Sequence, residues 1–248
     1  MPESRPRILI LGGTAEAARL AVRLAAMQVN VITSLAGRTG NPAPVAGRMR
    51  VGGFGGTKGL ADYLAGQNIA LVIDATHPYA IRISRNAADA AMASHVPLVR
   101  LERPTWQKQT GDNWTEVEDE AAAMQAIPCN ARVLLALGRQ HIAPFAARSD
   151  AHFVMRMIDA AETALPHRHE LILAKPGGYD EERRFLCEKH IGLIVCRNSG
   201  GEASYAKIKA ARDLALPVIM ITRPPMIAGN VVSTLEDVIG VVSLHLAP

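Results

Sequence analysis

A histidine and a tyrosine stand just after one of the most apolar stretches of the sequence. Residues 71–80, LVIDATHPYA, run from a strand-like apolar segment into Asp74, then His77 and Tyr79. Imidazole and phenol groups can donate a proton to a reacting carbon, and carboxylates can orient such donors. Ligands of open α/β folds bind at the carboxyl ends of strands. We therefore expect catalytic chemistry here, with Asp74, His77 and Tyr79 as candidates, while the proton donor stays open between His77, Tyr79 and a bound water.

Helix capping explains part of the same segment without any chemistry. Pro78 suits the first position of a helix predicted over 78–93, because its missing N–H costs nothing there. Thr76 or His77 could then cap that helix. Capping accounts less well for an imidazole and a phenol placed side by side at a strand end.

A glycine pair follows the first predicted strand. Gly12 and Gly13 lack a Cβ, so the backbone can approach a phosphate closely. Thr14 can cap the helix that follows, and Glu16 falls in its first turn. Such a turn can hold a pyrophosphate at the helix N-terminus, although it departs from the G-x-G-x-x-G spacing. A tight turn that binds nothing is the alternative. The glycine-rich segment 52–59 lacks the Walker order and is predicted to lead into a helix.

The end of the second predicted strand bears on the choice of cofactor. NAD-binding folds place Asp or Glu there to hold the ribose hydroxyls. This sequence has Ser34, Gly37 and Arg38 instead, a set that suits a 2′-phosphate. The pattern favours NADPH over NADH, unless Arg38 is simply a solvated loop residue.

Strand-like and helix-like segments alternate along most of the chain. The predicted strands are 7–11, 29–35, 70–75, 97–102, 131–137, 152–157, 170–174, 192–196 and 217–222. The predicted helices include 15–27, 59–66, 78–93, 179–190 and 204–215. This alternation predicts an α/β fold with two Rossmann-like lobes, mainly parallel sheets and a ligand cleft between them. We predict a cofactor lobe over 1–103, a crossover segment over 104–127 and a substrate lobe over 128–248.

Composition excludes several classes of protein. The net charge of the 248 residues is only +4 and the basic residues are spread out, which argues against a nucleic-acid binder. Three cysteines without C-x-x-C spacing predict reduced thiols in a cytoplasmic protein. His167 and His169 are better explained as part of a solvated turn, so no metal is predicted. The polar N-terminus and the apolar pattern predict neither an export signal nor a membrane span.

Three segments together resemble a known family. Gly12-Gly13-Thr14-x-Glu16 and the segment 74–80 look like the signature turns of the precorrin-6A reductase family of cobalamin biosynthesis. Residues 198–224 resemble the C-terminal segment of that family. The resemblance implies an NADPH-dependent reductase that reduces one carbon–carbon double bond of a tetrapyrrole-derived macrocycle, with hydride at C19 and a proton at C18. The residues expected to bind NADPH are Gly12, Gly13, Thr14, Glu16, Ser34, Gly37, Arg38, Ala75 and Thr76.

The second lobe carries cations and donors after its predicted strands. A precorrin bears many carboxylates, which need positive charge and hydrogen-bond donors around them. Ser199-Gly200-Gly201 could form an anion-binding nest at a helix start. The residues expected to bind the substrate are Arg139, Lys175, Arg197, Asn198, Ser199, Gly200, Gly201 and Arg223. Any one of them could instead be a solvated surface charge.

Other functions share some of these features. A non-catalytic NADP-sensing module needs the first lobe but not the cationic strand ends of the second. A two-lobed ligand-binding protein of the transport type would be expected to carry an export signal. A methyltransferase would be expected to carry an acid after the second strand. The sequence does not decide the oligomeric state, and a monomer fits it.

Overall fold

The chain folds into two compact α/β units. The structure is a computed structural model that describes residues 6–37, 44–159, 164–202, 204–227 and 229–246. The first unit combines Met1–Pro104 with Pro225–Pro248, and the second is Thr105–Pro224. No helix among these described residues is long and apolar enough to cross a membrane.

The first unit is a parallel sheet with helices on both faces. Its elements are β1 (Arg7–Leu11), α1 (Ala15–Ala26), β2 (Asn30–Leu35), β3 (Arg48–Val51), α2 (Thr57–Gly66), β4 (Ile69–Asp74), α3 (Ile81–Ala93), β5 (Leu98–Leu101), β12 (Asn230–Val232) and α7 (Leu235–Leu246). Alternate residues of β1 enter different cores: Ile8 and Ile10 pack on the α1 and α7 side, whereas Leu9 and Leu11 pack with residues of α2 and α3. Burial on both faces explains why this strand is continuously apolar.

The second unit has the same layered construction. Its elements are β6 (Trp114–Val117), α4 (Glu120–Ala126), β7 (Arg132–Ala136), β8 (His152–Met157), β9 (His169–Leu173), α5 (Tyr179–Glu188), β10 (Leu193–Arg197), α6 (Ala206–Asp213) and β11 (Val218–Ile221). Two short 3₁₀ turns, at Arg139–His141 and Ala143–Ala147, stand between β7 and β8.

Both sheets have the doubly wound strand order. The orders are β12-β5-β4-β1-β2-β3 and β6-β11-β10-β7-β8-β9, and the described strand pairs are parallel. In each sheet the strand order reverses at one point, between β1 and β4 and between β7 and β10. Ligands of such sheets bind at the carboxyl ends of the strands that flank this point. The α/β fold with parallel sheets predicted from the sequence is confirmed.

The predicted lobe boundaries were wrong at both ends of the second lobe. Residues 104–127 are not a crossover segment, because they contain β6 and α4 and β6 pairs with β11. The C-terminal residues from Pro225 onward return to the first unit, where β12 pairs with β5. In each sheet, one edge strand thus pairs with a strand from a distant part of the chain: β12 in the first sheet and β6 in the second. Local sequence patterns contain no signal for such long-range pairing.

Candidate functional site

The glycine turn after β1 has one packed glycine and one open glycine. The Gly12 N–H donates to the Ser34 carbonyl at 2.9 Å, and a Cβ at Gly12 would lie 3.1 Å from Thr33 Cγ2. Gly13 is exposed and has a φ of +109°, which L-residues rarely adopt. A Cβ there would meet nothing within 4 Å. Gly12 therefore serves close packing, and Gly13 borders space that a ligand can enter.

Thr14 ties this turn to the end of β4. Its hydroxyl oxygen accepts from the Ala17 N–H at 3.1 Å and so caps α1, as the sequence predicted. The same hydroxyl donates to the Ala75 carbonyl at 2.8 Å. Glu16 lies in the first turn of α1, also as predicted. The capped helix N-terminus is thereby fixed at the reversal point of the sheet.

An open recess lies beside this turn. It is lined by Thr14, Glu16, Ala75, Thr76, Pro78, Leu101 and Arg103. Arg103, which sequence reasoning missed, donates to Glu16 Oε2 at 2.5 Å. The guanidinium balances a carboxylate that would otherwise repel an anion at the start of α1.

Asp74 is buried with both of its carboxylate oxygens engaged. Oδ2 accepts from Arg100 Nη1 at 3.0 Å, and Oδ1 accepts from the Thr76 hydroxyl at 2.6 Å and the Thr76 N–H at 3.1 Å. Arg100 also donates through Nε to Glu102 at 2.7 Å. These contacts connect Asp74 both to Arg100 and to the loop after β4.

The predicted start of α3 was wrong. The helix begins at Ile81 after Ala80, and no side-chain hydrogen bond caps it. Thr76 does not cap it because its hydroxyl is bonded to Asp74 and lies 3.3 Å from Ser84 Oγ. Residues 77–80 form a separate turn, closed by the Ala80 N–H donating to the His77 carbonyl at 2.8 Å, so Pro78 lies in this turn and not at the first helical position.

His77 and Tyr79 are held side by side by that turn. The Tyr79 N–H donates to His77 Nδ1 at 3.4 Å, and the ring centroids are 5.6 Å apart. Both residues are partly exposed. Their position at the carboxyl end of β4 keeps both as candidates for the proton donor.

The ends of β2 and β3 meet around an arginine that sequence reasoning missed. Ser34 is buried, and its hydroxyl accepts from Arg50 Nη1 at 3.2 Å. Gly37 has a φ of +73°, and a Cβ there would lie 3.2 Å from Val51 Cγ1. Arg38 lies outside the described residues. Its predicted contact with a 2′-phosphate therefore stays a prediction.

At the reversal point of the second sheet, Arg197 is joined to an acid. Arg197, the last residue of β10, pairs with Glu120, and His141 Nδ1 lies 3.1 Å from the same carboxylate. Burial opposes ionisation of Glu120, but the hydrogen bond and the charge of Arg197 outweigh it and lower its pKa. Arg197 thus brings a partly neutralised charge to the edge of the sheet.

Asn198 and Arg223 build the loop that follows β10. Asn198 is buried and exchanges two hydrogen bonds with the backbone of Trp106, at 2.8 and 3.0 Å. Arg223 donates to the carbonyls of Asn198 and Ser199, both at 2.9 Å. Through these hydrogen bonds, both side chains stabilise the loop.

The segment Ser199–Gly201, predicted as a possible anion-binding nest at a helix start, precedes α6, which begins at Ala206, two residues after the predicted start at 204. The Gly201 carbonyl accepts from Trp106 Nε1 at 2.7 Å. Gly200 and Gly201 have φ values of +66° and +68°, so the segment needs its glycines for a left-handed turn.

Two further predicted cations stand after strands of the second sheet. Arg139 lies in the short turn after β7, at the reversal point, and Lys175 is exposed after β9.

Among the described residues, no group of three His, Cys, Asp or Glu side chains could hold a metal ion.

Comparison with known proteins decides the family. A sequence model of the family described as precorrin-6x reductase CbiJ/CobK matches residues 7–243. The chain belongs to this family. It is 43% identical over 242 residues to the precorrin-6A reductase of Rhodobacter capsulatus, with 96% of each chain covered. It is 29% identical over 248 residues to the cobalt-precorrin-6A reductase of Priestia megaterium, with 94% of this chain and 96% of the relative covered. A solved structure named CobK precorrin-6A reductase matches with a TM-score of 0.93 at 43% identity and covers 97% of both chains.

The fold of this CbiJ/CobK family member groups many of the predicted site residues. In the first unit, Thr14, Glu16, Ala75 and Thr76 line one recess, with Gly12 bonded to the backbone of Ser34 at its side. The structure adds Arg50, Arg100 and Arg103, of which only Arg100 has a local signal, a charge within an apolar strand.

Proposed function

We propose that this chain reduces the C18–C19 double bond of precorrin-6A with NADPH to give precorrin-6B. The observation that carries the proposal is the match to the CbiJ/CobK family over residues 7–243, together with an open glycine turn at the reversal point of the first sheet. The reaction adds a hydride at C19 and a proton at C18 and releases NADP⁺.

The first unit fits a dinucleotide. Gly13 borders open space, so the backbone N–H groups at the start of α1 are accessible to a pyrophosphate. Thr14 fixes that helix start against Ala75, and Ser34 and Gly37 lie at the end of β2 where an adenosine ribose would bind. When bound, NADPH would supply the hydride. The protein has to orient the cofactor and the macrocycle and exclude water.

The degree of sequence identity to the two named relatives favours the metal-free precorrin over the cobalt-containing one as the substrate. The Rhodobacter capsulatus relative named for precorrin-6A is 43% identical, whereas the Priestia megaterium relative named for cobalt-precorrin-6A is 29% identical. We therefore assign precorrin-6A as the substrate.

Proton delivery falls to the turn after β4. His77 and Tyr79 are partly exposed and share one turn, so either side chain, or a water held by them, can deliver the proton to C18. Asp74 orients this turn through its hydrogen bonds from Thr76 and its ion pair with Arg100.

The other candidate functions find less support. An NADP-sensing module or a transport-type binding protein would share the doubly wound fold, but neither function accounts for a match to a reductase family along nearly the whole chain. We propose a reductase that acts on a small tetrapyrrole-derived molecule and that works in the cytoplasm.

The test is a reduction assay with purified protein. Precorrin-6A should oxidise NADPH in equal molar amount, and the product should gain two hydrogens by mass spectrometry. NADH should be a poor substitute. An equal rate with cobalt-precorrin-6A would contradict the substrate assignment, and no NADPH oxidation with either macrocycle would contradict the reductase assignment.

A further inference from the structure

Lys207 is a buried cation in the first turn of α6. Only 8% of the residue is exposed, and it is the second residue of the helix Ala206–Asp213. Lysine is almost never fully buried unless its charge is paired. A cation near a helix N-terminus also opposes the helix dipole. The position of Lys207 is therefore unfavourable for stability on two counts, which points to a role other than stabilising the fold.

The ammonium group of Lys207 has few partners for its three N–H groups. Nζ donates to the Ser204 carbonyl at 2.7 Å and lies 5.0 Å from the centre of the Trp106 ring. No carboxylate among the described residues forms an ion pair with it. A buried charge whose only hydrogen-bond acceptor is a neutral carbonyl keeps a strong field in its surroundings.

The charged groups that face Lys207 leave a net positive charge. They are Glu182 at the start of α5 and Arg156 on β8, and Glu182 accepts from Arg156 at 2.6 Å and from the Gly177 N–H at 2.8 Å. The neighbouring Cys196 thiol stays neutral, because burial raises its pKa to about 11. Burial lowers the pKa of Lys207, and the charge of Glu182 opposes this only in part. Two buried cations therefore share one buried acid.

The loop between β10 and α6 is held from beneath by Lys207 and Trp106. Lys207 bonds to Ser204, and Trp106 Nε1 donates to the Gly201 carbonyl. Within the described part of the chain, the N–H groups of Gly200 and Gly201 make no hydrogen bond, although Gly200 is buried. Buried backbone N–H groups are nearly always paired. Two successive unpaired donors in a left-handed turn therefore mark a place for an anion.

We infer that Lys207 is the positioning residue of a carboxylate-binding site at the Gly200–Gly201 turn. It holds the loop through Ser204 and Trp106 and places a positive charge beneath the two glycine N–H groups. A carboxylate of the macrocycle bound at this turn pairs the N–H groups and balances the buried charge at the same time. The inference rests on the proposed function and adds the residue that prepares the loop for the substrate.

Steady-state kinetics of Lys207 variants test the inference. Lys207→Met removes the charge and the bond to Ser204, whereas Lys207→Arg keeps the charge. Lys209→Met is the matched control, because Lys209 is exposed on the same helix. Lys207→Met should raise the KM for precorrin-6A roughly tenfold and change kcat by less than about twofold, because the lost interaction serves binding. Lys207→Arg should lie between this variant and the wild-type protein, and Lys209→Met should leave the KM unchanged.

Stability and pH provide readouts that a merely structural lysine would not give. Lys207→Met removes a buried cation from a helix N-terminus, so its urea midpoint should equal or exceed that of the wild-type protein. Its affinity for NADPH should stay unchanged, since the residues predicted to bind the cofactor belong to the first unit. The wild-type KM should rise at alkaline pH as Lys207 loses its proton, and this rise should be absent in Lys207→Met.

The outcomes separate the inference from the proposed function. A wild-type protein that does not reduce precorrin-6A would overturn the proposed function and the inference with it. With an active wild-type protein, an unchanged KM in Lys207→Met would overturn the inference alone, as would an equal rise in Lys209→Met. A lower urea midpoint with parallel losses of kcat and NADPH affinity would show that Lys207 only supports the fold, which also overturns it. If Lys207→Met does not fold, Lys207→Gln decides by the same comparison.

Discussion

Arg100 and Asp74 form a buried ion pair beneath the candidate site, with Nη1 and Oδ2 3.0 Å apart and side chains 9% and 2% exposed. Glu102 lies on the other side of the same guanidinium at 2.7 Å. One arginine therefore stabilises two carboxylates, and the more buried of the two orients the turn that carries His77 and Tyr79.

Removal of Arg100 should therefore be costly to stability. Arg100→Met would remove the arginine that pairs with the buried Asp74 carboxylate, which should lower the free energy of unfolding by about 3–5 kcal/mol. Asp74→Asn should cost less, because Arg100 would keep Glu102. The double variant should cost less than the sum of the two single changes. Urea denaturation provides the measurement. The exposed pair of Lys58 and Asp62 provides the control, since Lys58→Met should change stability little. Equal effects of the two substitutions would contradict the assigned role of Arg100.

The two glycines of the first turn should respond differently to alanine. Gly12→Ala would place a methyl group 3.1 Å from Thr33 Cγ2 and should destabilise the fold by about 1–3 kcal/mol through overpacking. Gly13→Ala would strain a φ of +109° and direct the methyl group into open space. When only the folded fraction of each variant is compared, Gly13→Ala alone should bind NADPH more weakly, by about tenfold or more. Titration of both variants by fluorescence, with stability measured in parallel, checks this difference. Equal NADPH affinities in the two variants would mean that the Gly13 side of the turn binds no phosphate.

The sequence predicted those parts of the fold whose signal is local. Nine predicted strands exist with ends within one residue of the prediction, because most of them are buried on both faces and are therefore continuous apolar runs. The cap at Thr14 was predicted for a similar reason, since a capping bond spans only three residues.

The errors arose where distant residues decide the structure. The prediction that α3 starts at Pro78 was wrong because Thr76, a candidate cap, is bonded to Asp74 instead. The position of Asp74 depends in turn on Arg100, twenty-six residues later in the chain. β12 is three residues long and is held by β5, which lies more than a hundred residues earlier in the chain. Arg50 was not predicted as a site residue, because an arginine in a short, mostly exposed strand resembles a solvated surface charge. Only its hydrogen bonds to Ser34 and to the glycine loop distinguish it.

Acid should weaken the second unit partly through Glu120. The native pKa of Glu120 is lowered, so its ionised form stabilises the folded state above the ordinary glutamate pKa of about 4.5. That contribution is lost as the pH falls through the lowered native pKa. Glu120→Gln should therefore be less stable than the wild-type protein at neutral pH, and the difference should shrink on acidification. Urea midpoints measured from neutral pH downward test this. A difference that is independent of pH would show that Arg197 does not depend on the charge of Glu120.

Substitution of the proton donor should lower turnover far more than cofactor affinity. A positioned general acid contributes about 10²–10⁴ to the rate. We expect a loss in this range for either His77→Ala or Tyr79→Phe, and only a small change in NADPH affinity for both. His95→Asn provides a control, because His95 is exposed beyond α3 with a positive φ that asparagine tolerates. Single-turnover rates of the two variants identify the donor, and the same rates in heavy water show whether proton transfer limits the step. Near-normal rates in both variants would leave the proton to a bound water.

Substrate binding should depend on positive charge at the carboxyl edge of the second sheet. Lys175 and Arg139 follow strands of that sheet, and the macrocycle bears carboxylates. A contact with one exposed charge is worth up to about 1 kcal/mol, so Lys175→Ala should raise the KM for precorrin-6A by about two- to fivefold. Added salt should raise the KM of the wild-type protein more than that of the variant, since the attraction is screened. NADPH affinity should stay unchanged, because the residues predicted to bind the cofactor belong to the first unit. Arg184→Ala, an exposed change in the middle of α5, should affect neither constant. If Lys175→Ala and Arg139→Ala both leave the KM and its salt dependence unchanged, these cations are solvated surface charges and the carboxylates bind elsewhere.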